Sequence, residues 1–321
     1  MRVSAVTFAA LRSFGSVWIA VLGLYLIAGL ISPAMFSLAQ VVNILQVASF
    51  LGVIAAGQTI VILTGGIDLS QAGLVTLTNI LATGLIASLP DNVPFALAVT
   101  ILVSLAIGFL NGLLVAWVGI TPLIATLGSN AILFGAALVY TGGAPSGGTP
   151  PSFQYWGNGM LLGLPIPVLF WALVTILLLV LTRRTVWGRQ LYATGANPRA
   201  AAMMGVPVSP VVISAYMLSA LMAALGGLML TAYIGSPSLG IGNQFMLTSV
   251  AAVVVGGAAL SGGAGSVLAT VGGAIFITEL SSLTNIMRVS TGTQFVVQGV
   301  LILVSVVAYR ALSGVRSGSP T

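Results

Sequence analysis

RRTVWGRQLYATGANPRAAAMMGVPVSP, Arg183–Pro210, is where an otherwise apolar chain turns polar. It holds Arg183, Arg184, Arg189 and Arg199, four of the nine arginines, between long apolar segments on either side. Inside it lies a short helix with both ends marked. Asn197 is a good N-cap, and Pro198 suits the first helical position, where its missing N–H costs nothing. Arg199 to Met204 are mostly Ala and Met, good helix formers. Gly205 can take the left-handed conformation past the last turn, and Pro207 forbids continuation. A capped helix of about two turns does not stand alone in water, so it docks on something. Either it rests on its own membrane domain, or it fits a groove on a soluble partner. The segment by itself favours the first.

The surrounding sequence fixes what that domain is. Of 321 residues, 58% are hydrophobic and 4% charged, against about 25% charged in a soluble domain. Such a chain cannot present an ordinary water-facing surface, so its solvent is mostly lipid. The expected fold is an all-α polytopic membrane protein, a single domain over residues 1–321. The net charge of +6 comes from arginine alone against Asp68, Asp91 and Glu279. These arginines flank apolar segments, which reads as membrane orientation rather than nucleic-acid binding. There is no Cys and no His, which excludes thiol catalysis, imidazole acid–base chemistry and zinc held by those ligands. The apolar run Ser16 to Ile31 is longer than a signal-peptide core and reads as a retained first span.

Ten spans are expected, at about 16–32, 40–63, 70–89, 94–118, 122–141, 163–182, 210–233, 245–260, 266–284 and 293–310. With the N-terminus in the cytoplasm, ten crossings return the C-terminus there. Eight of the nine arginines then lie inside, with Arg288 the exception, as the positive-inside rule requires. Residues 183–210 become a cytoplasmic loop. Gly142 to Leu162 becomes the longest external one, with Tyr155 and Trp156 as interfacial anchors.

Paired glycines are frequent, and in membranes small residues let helices pack closely. Two clusters differ from the rest. LTGGIDLSQAGLVTL (Leu63–Leu77) and VVGGAALSGGAGSVLAT (Val254–Thr270) share Gly-Gly-x-x-Leu-Ser followed by Ala-Gly. They suggest an internal repeat with an interrupted helix or re-entrant turn at each copy, tolerated only where protein or a water-filled cavity covers the backbone.

A carboxylate at membrane depth is costly and by default functional. Asp68, beside Gly65, Gly66 and Ser70, is instead expected at the cytoplasmic mouth, capping the helix that starts near Leu69. Glu279 lies deeper, facing an aqueous path or protonated against a neighbour. Gln46, Gln58, Asn79, Asn111, Asn130, Gln294 and Gln298 are amides in or near spans. Each alone is ordinary interhelical glue. Together Gln58, Asn79, Asn111, Asn130, Glu279 and Gln298 are candidates for lining a path for a hydroxylated solute. The sequence holds no phosphate-cradling GxxxxGK[ST], no GxSxG and no catalytic carboxylate pair. No active site and no cofactor are expected, and any ATP hydrolysis belongs to another chain.

TGGIDLS (Thr64–Ser70), NGLLVAWVGITPLIATLG (Asn111–Gly128), GRQLYATGANPRAAAMMGV (Gly188–Val206) and VVGGAALSGGAGSVLAT (Val254–Thr270) together resemble the permease subunits of ribose-type ABC importers. These form the simple-sugar branch of the group that also holds branched-chain amino-acid permeases. The resemblance covers nearly the whole chain. It implies a ten-helix permease in a bacterial inner membrane, working as a dimer with an identical or different second permease. Two cytoplasmic ATPase subunits would drive it, and an external solute-binding protein would feed it. It also implies that Asn197, Pro198, Arg199, Ala200, Ala201, Met204 and Gly205 form a coupling helix seated in the ATPase. The chain departs from the family pattern at Gln71–Ala72, where Val-Gly usually follows GGIDLS, and at Glu279–Asn285. The rival reading is an ion-coupled secondary transporter, which would need carboxylates or cation sites at mid-depth, and Glu279 alone fits well.

Overall fold

A computed structural model describes residues 3–89, 92–290, 292–297, 299, 300 and 303, with only the backbone described for residues 3–14 and 16. Twelve α-helices with defined bounds are described, joined by turns and longer loops, and residues 292–297 are helical as well. The twelve are α1 (Val3–Ile31), α2 (Leu38–Leu63), α3 (Gln71–Ser88), α4 (Val93–Ala116), α5 (Pro122–Thr141), α6 (Pro151–Asn158), α7 (Ile166–Arg184), α8 (Val186–Ala196), α9 (Pro198–Met203), α10 (Val208–Ile234), α11 (Phe245–Val255) and α12 (Val267–Ile286). Proline opens α5, α6 and α9 at the first position, where no N–H is needed. Gly142 and Gly235 close α5 and α10 at φ +59° and +77°, a conformation that costs other residues a Cβ clash. Between α6 and α7, strands β1 (Met160–Leu161) and β2 (Leu164–Pro165) pair antiparallel.

Seven described helices, α2, α3, α4, α5, α7, α10 and α12, are long and apolar enough to cross a membrane. The first expected span lies within α1. The last, 293–310, falls mostly outside the described residues, as do Asp91 and Arg310. One expectation is corrected: the helical span at 245–260 is α11, which stops at Val255, and eleven residues reach only about 16 Å.

The centre of the bundle is α2 and α10. Every α2 residue from Ala48 to Leu63 is buried, while α5 exposes most of its apolar side chains and α4 leaves most of its own half-buried. Where α4 crosses α10, a Cβ at Gly112 would lie 2.7 Å from the Ile213 Cα, so the backbones approach as only small residues allow.

Two non-helical segments enter this bundle from opposite ends. After Leu63 the chain folds back along α2, so that Gln71 Nε2 donates to the Ile54 carbonyl at 3.1 Å. Ile54 lies nine residues before the end of α2, about 13 Å at the helical rise. Helix α3 therefore starts inside the bundle. At the other end, residues 235–244 leave α10 and run inward along α3. Ser238 N donates to Asn79 Oδ1 at 2.7 Å, and Gly242 N to Thr76 Oγ1 at 3.2 Å. Helix α11 begins beside the first turns of α3.

Candidate functional site

The first of these segments carries Asp68, which is 1% exposed and level with Gln58 rather than at a mouth. Its Oδ1 accepts from Ser70 N at 3.0 Å and Ser70 Oγ at 2.5 Å, and its Oδ2 from Ser219 Oγ of α10 at 2.7 Å. Helix α3 starts at Gln71 with Ser70 as its N-cap and no side-chain cap bond, so the capping role expected of Asp68 is not the one it has; its bond from Ser70 N closes the turn ahead of the helix. A carboxylate without water needs every lone pair answered, and hydrogen bonds to it are the stronger kind. The backbone of Asp68 is held as well. In the amide orientation that satisfies both ends, Gln58 accepts from Asp68 N at 3.2 Å and donates to its carbonyl at 2.9 Å.

The cluster spreads outward through amides. Asn111 Nδ2 of α4 donates to Ser70 Oγ at 2.9 Å, and Ser129 Oγ of α5 donates to Asn111 Oδ1. Asn130 Oδ1 accepts from Gly73 N at 2.7 Å, satisfying one of the free donors in the first turn of α3. Gln71, where the chain departs from the resembled family, donates to Ser219 Oγ at 2.9 Å. Sequence reasoning missed Ser219, because a serine within an apolar run gives no signal of its partner. Gly65 and Gly66 form the turn that closes α2, with Gly65 at φ +86°.

Asn79 is fully buried and ties α3 to α10 and the second segment. Besides accepting from Ser238 N, it donates to Thr231 Oγ1 at 3.1 Å and to the Ser236 carbonyl at 3.2 Å. Glu279 lies on α12, 4% exposed, and its Oε2 has no hydrogen-bond partner among the described residues. Gln298 lies outside the described residues. Of the candidate path residues, Gln58, Asn111 and Asn130 are thus brought around one buried carboxylate. Asn79 stands apart at the second segment, and Glu279 stands apart from both.

A cavity of about 330 Å³ lies between α2, α10, α11, α12 and residues 294–295. Phe50, Tyr233 and Phe245 give it aromatic walls, Gln244, Thr278 and Asn285 give it polar ones, and no lining side chain is charged. Gln294, singled out in the sequence, donates to Asn285 Oδ1 at its rim at 2.9 Å. The other lining residues come from α2, α10, α11, α12 and the stretches at Gln244 and Phe295, and share no sequence pattern.

At the opposite end, α9 has the caps expected of it. Asn197 Oδ1 accepts from Ala200 N at 3.0 Å. Gly205, at φ +82°, donates to the Ala202 carbonyl, and Val206 N donates to that of Ala201, the bond pair that closes a helix on a left-handed residue. Ala201 is buried, while Pro198, Arg199, Met203 and Met204 face outward, Met203 at 90% exposure.

Residues 40–306 match the family model described as "Branched-chain amino acid transport system / permease component". The chain is 37% identical over 292 residues to the ribose import permease RbsC of Bacillus subtilis, covering 90% of each chain. It is 36% identical to RbsC of Escherichia coli K12, covering 90% of this chain and 91% of that one. With the D-allose transport system permease AlsC of the same organism it shares 33% over 290 residues, 89% and 88% of the two chains. No solved structure matches. The apolar bundle and these matches together make the chain a non-enzymatic, multi-pass transport subunit of a bacterial inner membrane, and it belongs to the branched-chain amino-acid transport permease-component family.

Proposed function

We propose that this permease imports a neutral, hydroxylated solute, a monosaccharide or related polyol, rather than the amino acids in its family's description. The cavity carries this reading. An amino acid brings two charges that a desolvated site has to answer, and the lining side chains are all uncharged. Aromatic faces beside amides and hydroxyls suit a sugar, whose C–H faces are apolar and whose rim donates and accepts hydrogen bonds. The relatives named for ribose and allose support the same class.

The full assembly has ten spans with both termini in the cytoplasm, a second permease of the same or a different sequence, two ATPase subunits and an external solute-binding protein. Asn197, Pro198, Arg199, Ala200, Ala201, Met204 and Gly205 contact the ATPase. Solute passes by the cavity, with Gln58, Asn79, Asn111 and Asn130 shaping the route through the segments they hold, and Glu279 and Gln298 are the further residues proposed for it. Gly65, Gly66, Asp68 and Ser70 act as structure. The outward Met203, Met204 and Arg199 side chains on a doubly capped, rigid α9 favour a partner groove over a helix resting on its own domain.

Co-purification with the ATPase and binding protein, followed by uptake of labelled solutes, tests this. Monosaccharide uptake stimulated by the loaded binding protein is expected, with branched-chain amino acids inert. Uptake of an amino acid in preference to any sugar would overturn the substrate class. Ala201→Pro should break α9, costing about 3 kcal/mol of helix, and Gly205→Val should strain its end. If both leave co-purification and stimulated hydrolysis unchanged, the ATPase contact lies elsewhere.

A further inference from the structure

We propose that Gly195 and Tyr192 of α8 are positioning residues that carry movement of α9 into the two interrupted segments, and so to the solute cavity. The proposal rests on α9 being the ATPase contact.

Three backbone turns meet at this point without side chains between them. Gly195 lies two residues before Asn197, and a Cβ there would overlap the Leu63 carbonyl oxygen and sit 2.6 Å from Gly263 N. Those two groups hydrogen-bond to each other at 3.0 Å, joining the end of α2 to the turn after α11. Gly262, at φ +87°, occupies the remaining gap, where a Cβ would lie 2.8 Å from both Gly195 O and Gly65 N. Tyr192 Oη donates to the Gly265 carbonyl at 2.9 Å. Burial raises the Tyr192 hydroxyl above its ordinary range, against the lowering pull of Arg183, so it remains a protonated donor.

From this junction one route runs through Gly65 to Asp68 and α3. The other runs from Gly263 through α11 to Gln244 and Phe245 in the cavity wall. Side-chain contacts can absorb displacement by changing rotamer, whereas backbone against backbone has no such slack. A shift of α8 therefore moves the end of α2 and the turn after α11 directly. Short, glycine-lined contact at three chain segments has this mechanical consequence, which a looser side-chain interface would lack.

The test uses the complete importer, with ATPase and binding protein, reconstituted in liposomes. Gly195→Ala should push α8 off the end of α2. Co-purification should persist, while solute moved per ATP hydrolysed falls at least tenfold. Tyr192→Phe, which removes one hydrogen bond and no packing, should lower the same ratio roughly twofold to fivefold, the scale of one such bond. A merely structural role would lower the yield of complex and leave this ratio unchanged. Wild-type ratios in an assembled Gly195→Ala complex overturn the proposal. If Gly195→Ala fails to assemble, Tyr192→Phe decides, and a wild-type ratio there overturns it. Ala201→Pro separates the two readings. If it leaves ATPase binding intact, the contact assigned to α9 fails. If it abolishes binding while both α8 variants couple normally, only the junction fails.

Discussion

Residues 64–70 and 235–244 both interrupt a span, and different chemistry holds each in place. The first is anchored by its own side chains. Asp68 and Ser70 reach α10 and α4, and Gln58 of α2 grips the Asp68 backbone. The second is glycine-rich and is held mainly from outside, by Asn79 and Thr76 of α3 bonding to its backbone. Beyond the first segment the interior is close-packed, and beyond the second the cavity opens at Gln244. The contrast teaches that one interruption is a fixed anchor and the other the adjustable one, since a segment held by a few bonds to its backbone, from α3 and from Thr149 at its start, opens at lower cost.

Asp68→Ala should do the most damage. It strands three buried donors, at about 1 kcal/mol or more each, and thermal unfolding in detergent should show a loss of roughly 3 kcal/mol or more. A variant melting like wild type would remove the anchor. Asn79→Ala loses two bonds to the second segment and one to Thr231 of α10 and strands Ser238 N, costing about 1–3 kcal/mol. Its effect should concentrate in faster amide exchange over 235–244, and unchanged exchange there would end the contrast between the segments. Gln71→Val restores the residue usual in the resembled family and should cost about 1 kcal/mol. A double-mutant cycle with Ser219→Ala should give a coupling of about 0.5 kcal/mol or more, and strict additivity would separate Gln71 from the cluster. Thr278→Val, on the cavity wall, should leave stability within about 0.5 kcal/mol while raising the KM for uptake. An unchanged KM would move the solute away from this wall.

The Gly-Gly-x-x-Leu-Ser repeat shows where pattern reading stopped. Both copies close a helix with the same pair of bonds, Gly65 N to Ile62 O and Gly66 N to Val61 O in one, Gly257 N to Val254 O and Ala258 N to Val253 O in the other. Yet the left-handed residue is the first glycine of the pair in one copy and the second in the other. After the first closure the chain re-enters the bundle. After the second it turns at Ser261–Gly265 and docks on α8. The shared motif specifies how a helix stops, and the path of the chain beyond that stop depends on its neighbours.

By itself the sequence determined the membrane class, the family and the caps of α9, because apolar runs and capping residues act within a few positions along the chain. The depth of Asp68, the half-length of α11, the cavity wall and the meeting of Gly65, Gly195 and Gly263 came only with the tertiary structure. Each depends on where one segment lies against another far away in sequence. A buried carboxylate and one at a helix mouth carry the same local signature, and only the Ser219 hydroxyl, 151 residues away, distinguishes them.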